Sequence, residues 1–297
     1  MITLNIVHEV SLPNGETMGY RKHGNGNNVL ILVHGNMTSS KHWDVLMESL
    51  AEDKYTIYAI DLRGFGQSSY NTPIESLADF SHDLKLFCDE LHLYNFTLAG
   101  WSTGGGVAMH FTAQNRNYVS RLILLESVGI KGFTLYKKNI LGKDNLNQRI
   151  TTKEDLAKQV KLIQNAQKKG RKWFMRFLWN SSIYVNKKPS KERYQEYLDD
   201  MLTQRNILDV NWALLTFNIS HESNGISKGS GLVEKINVPT LIIQGTDDKV
   251  IKPEESKQTT DTIGENARLV MLDNCGHSPL IDRLDKVIEL LDDFILC

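Results

Sequence analysis

Four short runs in this 297-residue chain, at 29–33, 55–60, 96–99 and 122–125, are almost continuously apolar instead of alternating. Strands read this way when both their faces are buried, which happens in a mostly parallel sheet with helices packed on each side. Earlier strand candidates at 2–10 and 17–22 are joined by the turn signal Pro13-Asn14-Gly15. Between the buried runs, Leu77, Phe80, Leu84, Phe87 and Leu91 recur at three- and four-residue steps. That stripe marks an amphipathic helix, and it is core. A doubly wound α/β plan follows for the first 129 residues.

From 130 to 235 the strand signal disappears. Helical segments rich in aromatics are expected at about 153–168, 171–179, 191–204 and 208–219. The strand and helix alternation then resumes with strands at 239–244 and 268–272 and helices near 254–262 and 283–295. The chain therefore divides into a core part at 1–129, an inserted helical part at 130–235 and a second core part at 236–297. The stretch 224–231, rich in Gly and Ser, is expected to be a flexible return from the insert.

Gly100-Trp101-Ser102-Thr103-Gly104 directly follows one buried run and directly precedes Gly105-Gly106-Val107-Ala108-Met109. A turn this tight from strand to helix strains its central residue, and glycines two positions away on each side let the two elements approach. The Ser102 hydroxyl is then pushed out over the sheet edge. Read blandly, the same glycines only close a helix onto a sheet.

A serine hydroxyl is a weak nucleophile at neutral pH and needs a base within reach, with a third group to orient that base. His277, in Asn274-Cys275-Gly276-His277-Ser278-Pro279, follows the last expected strand, and reactive residues of open α/β sheets gather at such carboxyl ends. His82, His92 and His110 lie in helix-period segments and read as structural. The acid lies in Gln244-Gly245-Thr246-Asp247-Asp248, again at a strand end. Only one of two adjacent aspartates can face inward, and the residues alone leave Asp247 and Asp248 open.

The tetrahedral intermediate of acyl transfer needs preorganised N–H donors. Thr103, just after the nucleophile, supplies one. The other is assigned to Asn36 in Val33-His34-Gly35-Asn36-Met37-Thr38, where Gly35 permits close backbone approach. Trp101, Asn36 and Met37 are expected to touch substrate, although a turn-stabilising role suits the Asn36 side chain equally. His34 is expected to brace its loop. Asp61-Leu62-Arg63-Gly64-Phe65-Gly66-Gln67-Ser68 lacks the ending of a phosphate-binding loop and reads as a structural turn.

With 34 Lys and Arg against 35 Asp and Glu, the whole chain has no electrostatic footprint for nucleic acid. Cys88, Cys275 and Cys297 fit neither a disulfide framework nor a zinc site, and no metal or cofactor is indicated. Cys275 suits a buried thiol better than an oxidation-sensitive one. The first ten residues lack the basic start and apolar run of a secretory signal, and no stretch has the ~18 apolar residues that span a bilayer. A soluble protein of the reducing cytoplasm is the expectation.

The set His34-Gly35, Asp61-x-Arg63-Gly64-x-Gly66-x-Ser68, Gly100-x-Ser102-x-Gly104, Gly245-x-x-Asp248 and Gly276-His277 resembles the α/β-hydrolase superfamily over essentially everything outside the insert. The resemblance implies a serine hydrolase, esterase- or lipase-like, with an acyl-enzyme intermediate. In that family the acid stands three residues after the glycine, which selects Asp248, and the residue after His-Gly donates to the oxyanion, which supports Asn36. The insert then resembles the family's helical cap. Dehalogenases and epoxide hydrolases carry an aspartate at the position of Ser102, which argues against both. The Gly100-Trp101-Ser102 box and the chain length also resemble intracellular poly(3-hydroxybutyrate) depolymerases, with Thr103 where methionine is usual; generic carboxylesterases share nearly all the same residues. Hydroxyalkanoate oligomers and short or medium acyl esters are the implied substrates. A ligand receptor with vestigial hydrolysis, and C–C or amide cleavage by the same groups, are the alternatives.

Trp173, Phe174, Phe177, Trp179, Tyr184, Tyr194, Tyr197, Trp212 and Phe217 concentrate aromatics in the insert, part as its own core and part as the lining of an apolar acyl pocket. Residues 130–200 hold 17 Lys or Arg and 7 Asp or Glu, a local +10 that leaves −11 elsewhere. Solvated helix faces account for such a charge, as does contact with an anionic surface.

Overall fold

The structure, a computed structural model, describes residues 6–138 and 144–296. Its main sheet has eight strands: β1 (His8–Ser11), β2 (Thr17–His23), β3 (Asn28–Val33), β4 (Tyr55–Ile60), β5 (Phe96–Trp101), β6 (Val119–Leu125), β9 (Thr240–Gly245) and β10 (Ala267–Leu272). They lie in the order β1-β2-β4-β3-β5-β6-β9-β10. β1 pairs antiparallel with β2 and β2 with β4, and every later pairing is parallel. All six residues of β5 and all six of β9 are buried, in keeping with their mostly apolar sequences. Residues 2–5 of the first expected strand lie outside the described residues.

Helices cover both faces. On one, α2 (Leu77–Glu90) and α3 (Thr103–Gln114) form a core with Phe80, Leu84, Phe87, Val107 and Phe111. Asp79 accepts from Ser76 N at 2.9 Å and closes the start of α2. Leu91 stands one residue beyond that helix and still packs on the same cluster. On the other face lie α1 (Asp44–Met47), α9 (Pro279–Asp282) and α10 (Leu284–Leu296), while α8 (Pro253–Ile263), which connects β9 to β10, packs its Ile263 on the α2 and α3 side.

The insert between β6 and β9 carries α4 (Lys153–Lys168), α5 (Lys172–Ser182), α6 (Lys191–Met201) and α7 (Ile207–Thr216). Two expectations about it are corrected. It is not free of strands, because β7 (Tyr136–Lys138) pairs antiparallel with β8 (Asp144–Arg149). These strands are polar and short, so they carry no apolar run or alternation that would announce them. Nor is 224–231 a loose return. Asn224 Nδ2 donates to the carbonyls of Lys131, Leu215 and Phe217, and its Oδ1 accepts from the N–H of Ile226 and Ser227. One buried Asn thus satisfies the backbone that a Gly/Ser composition was expected to leave to solvent.

The aromatics of the insert divide three ways. Trp179, Tyr184, Tyr194 and Tyr197 join Trp43 and Trp101 in one buried cluster. Trp212 and Phe217 serve other clusters. Trp173 and Phe177 are exposed.

Candidate active site

Ser102 stands between β5 and α3 with φ 55° and ψ −117°, a conformation that L-residues rarely adopt. The flanking glycines explain how it is tolerated. A Cβ on Gly100 would lie 2.3 Å from Gly104 O, and one on Gly104 would lie 2.2 Å from Val33 O. Bonds from Ser102 N to Leu125 O and from Val128 N to Ser102 O, at 3.0 and 3.1 Å, tie the turn to the end of β6. Any larger residue at those two glycines would force strand and helix apart, and the strained turn with them.

His277 follows β10, and its ring lies between two partners. Nε2 is 3.0 Å from Ser102 Oγ and Nδ1 is 2.7 Å from Asp248 Oδ2. A neutral ring satisfies both by donating Nδ1–H to the carboxylate and accepting the serine hydroxyl at Nε2, a tautomer assigned from its partners. Asp248 is almost fully buried, whereas Asp247 is exposed and takes a contact from Asn186 Nδ2 at 3.2 Å. Burial by itself would raise the Asp248 pKa, but the His277 ring and the N–H of Val250 hold it below the ordinary carboxylate value. Asp282 braces the turn before the histidine by accepting from Gly276 N at 2.8 Å.

Asn36, Met37, Thr103 and Trp101 lie around Ser102 and His277 on the wall of one cavity. Thr103 opens α3, so its N–H is among the helix donors that have no intrahelical acceptor. The Asn36 N–H likewise has no acceptor among the described residues. The Asn36 side chain also stabilises its own turn. Its Oδ1 accepts from Met37 N at 2.9 Å and from Gln204 Nε2 at 2.8 Å, which is the turn-stabilising role. Met37 at φ 62° shares the strain of that loop. Trp101 lines the cavity, stacks on His42 at 4.4 Å and donates Nε1–H to His277 O at 2.8 Å. His34 braces its loop as expected: Nε2 accepts from Leu62 N, Nδ1 donates to Gly35 O, and burial lowers its pKa to about 4. Asp61 accepts from Ser40 N and Gln67 N, so the 61–68 segment is a structural turn.

The cavity holds 480 Å³. Val128, Leu135, Val160, Ile163, Leu178 and Leu214 make most of its wall apolar, and α4, α5 and α7 of the insert supply four of those six.

A family model described as the alpha/beta hydrolase fold matches residues 28–284. The chain belongs to the α/β hydrolase family. Among similar curated proteins, Lipase 3 of Moraxella sp. (strain TA144) is 24% identical over 293 residues, covering 93% of this hydrolase and 80% of the lipase. The AB hydrolase superfamily protein YisY of Bacillus subtilis (strain 168) is 26% identical over 271 residues, covering 89% and 90%. The solved esterase EaEST from Exiguobacterium antarcticum superposes with a TM-score of 0.77 at 19% identity over 98% of this chain and all of its own, a likeness of fold.

Several site residues of this α/β hydrolase escape a linear reading. Glu126, the residue after β6, is wholly buried at φ 43°, and its two carboxyl oxygens accept from Gly245 N at 2.8 and 3.0 Å. Burial first, and the neighbouring Asp248 carboxylate second, push its pKa well above the ordinary carboxylate value. Its signal was a carboxylate directly following a buried apolar strand. Cys275 is buried beside it, 4.0 Å from Sγ to Oε1, and burial raises the thiol pKa. It is the inert thiol expected. Cys297 lies outside the described residues. Gln204 offered no signal, since a lone glutamine after a helix resembles any solvated residue.

Proposed function

We propose that this α/β hydrolase cleaves carboxylic esters by two-step acyl transfer, with Ser102 as nucleophile, His277 as base and Asp248 as its orienting acid. The observation that carries the reading is the His277 ring, bonded to Ser102 Oγ on one nitrogen and Asp248 Oδ2 on the other, at the wall of a mostly apolar cavity. His277 Nε2 takes the hydroxyl proton as Oγ attacks the acyl carbon. The N–H groups of Asn36 and Thr103 receive the developing oxyanion. The imidazolium then protonates the departing alcohol, and a water deprotonated by the same nitrogen releases the acid and restores Ser102. Relatives named lipase and esterase support this class of reaction.

Residues 130–235 act as a cap whose α4, α5 and α7 wall the acyl site. The apolar lining suits short to medium acyl chains, hydroxyalkanoate oligomers included. The test is a panel of p-nitrophenyl esters of increasing chain length together with soluble hydroxybutyrate oligomers. Ser102→Ala is expected to abolish turnover while preserving the circular dichroism spectrum, and a fluorophosphonate is expected to label Ser102 alone. Near-full activity in that variant removes the assignment. Labelling of Ser102 without turnover of any ester favours a receptor, or a C–C or amide hydrolase.

A further inference from the structure

Residues 156–190, which run from just after the acidic first turn of α4 through α5 and the loop after it, contain nine Lys or Arg and no Asp or Glu. Solvation explains charge alone, but not the apolar side chains set among these. Leu162 is 69% exposed, Trp173 67% and Phe177 64%. Trp173 and Phe177 are four residues apart on α5 and so project from one side of it. Neither contributes to the cavity wall. Around them, Lys161, Lys168, Lys169 and Arg171 are exposed and have no acidic partner among the described residues, whereas Lys172 pairs with Asp199 and Arg176 lies over the Tyr194 ring.

We propose that this outer face of α4 and α5 docks on an anionic lipid bilayer. A helix pair with basic residues flanking exposed Trp, Phe and Leu has the chemistry of an interfacial anchor: the apolar groups enter the acyl boundary and the cations meet the headgroups. The patch is continuous with the cavity. Leu162 belongs to both, and the Trp173 ring packs edge-on at 5.7 Å against Phe174, which lines the cavity. An acyl chain leaving a bilayer would therefore meet apolar surface all the way inward. A second copy is a poor occupant, because apposing the same face would bring two uncompensated basic patches together.

Docking is independent of Ser102, so binding and hydrolysis are measured separately on the full chain. Co-sedimentation is expected with vesicles of phosphatidylcholine mixed with phosphatidylglycerol, weakly or not at all with phosphatidylcholine alone, and is expected to fall as salt rises. Each basic residue near such a surface contributes roughly fivefold in binding. The K168E/K169E and W173A/F177A variants are each expected to lose tenfold or more of vesicle binding, while their thermal unfolding and their turnover of a soluble short-chain ester stay at the parent level. Wild-type Trp fluorescence is expected to shift blue on the mixed vesicles. Absence of binding to them, equal binding to neutral vesicles, or indifference to salt overturns the proposal. A wild-type dimer on gel filtration that W173A/F177A converts to monomer overturns it as well, since the face would then be an interface between copies.

Discussion

Gln204, just beyond α6 in the insert, donates to Asn36 Oδ1 at 2.8 Å, and Asn36 lines the Ser102 cavity. The insert therefore holds the 33–38 loop of the core, whose Asn36 N–H is the proposed oxyanion donor. Asp200 strengthens the same junction by accepting from Ser39 N at 2.9 Å and from Thr38 Oγ1 at 3.3 Å. Loss of the Gln204 bond frees the loop to turn the Asn36 N–H away. A neutral hydrogen bond contributes about 0.5–1.5 kcal/mol, or roughly 2- to 13-fold. Gln204→Ala is expected to lower kcat by about that factor with little change in KM, as measured on a soluble ester, because an oxyanion donor acts in the transition state.

The two neighbouring aspartates should separate sharply. Asp248→Asn removes the acceptor that fixes the His277 tautomer and is expected to cost on the order of 10³- to 10⁴-fold in kcat. Asp247→Asn, changing an exposed side chain, is expected to stay within about twofold. Steady-state kinetics on the two variants decide the matter, and equal losses would refute the placement of Asp248.

Burial and the Asp248 carboxylate raise the Glu126 pKa, which favours the protonated carboxyl, so its neutral isostere is expected to be tolerated. Glu126→Gln keeps an acceptor for Gly245 N and a donor toward Asp248, and urea unfolding is expected to stay within about 1 kcal/mol of wild type. Glu126→Ala strands a buried N–H and opens a cavity, at an expected cost of about 2–5 kcal/mol. An equally large loss in Glu126→Gln would mean that the carboxyl is ionised.

Asp200 makes the insert's attachment pH-dependent. Burial, with the Asp61 carboxylate adding to it, raises its pKa to about 6, against the pull of the Ser39 bonds and the Arg21 charge. Because the folded state binds this proton more tightly than the unfolded chain, the stabilisation is complete below the ordinary value near 4 and is lost as pH rises through 6. Asp200→Asn cannot ionise. The difference in Tm between wild type and variant is expected to shift toward the variant as pH goes from 4 to 7, read by calorimetry.

The strands and the serine turn were legible because their physics is local. A strand buried on both faces has to be mostly apolar, and a turn in which a Cβ on Gly104 would lie 2.2 Å from Val33 O tolerates only glycine. The order of Ser102, Asp248 and His277 along the chain could be read for the same reason, since each follows a strand with a clear signature. The hairpin of β7 and β8 was not legible, because a polar two-stranded ribbon leaves no periodic trace. The Asn224 loop read as flexible, because composition does not reveal which carbonyls one side chain will bond.

The amino-acid sequence by itself determined the parallel sheet, the strained serine and the residues able to act on it. The residues alone left Asp247 and Asp248 open and the family resemblance chose between them; only the tertiary structure decided that Asp248 is buried against His277, that Glu126 shares its burial with Asp248, and that Gln204 and Asp200 fasten the insert to the 33–38 loop. Those choices depend on groups 29 to 168 residues apart meeting where water is excluded, and burial and partner charge are properties of the assembled space, absent from any single stretch of chain.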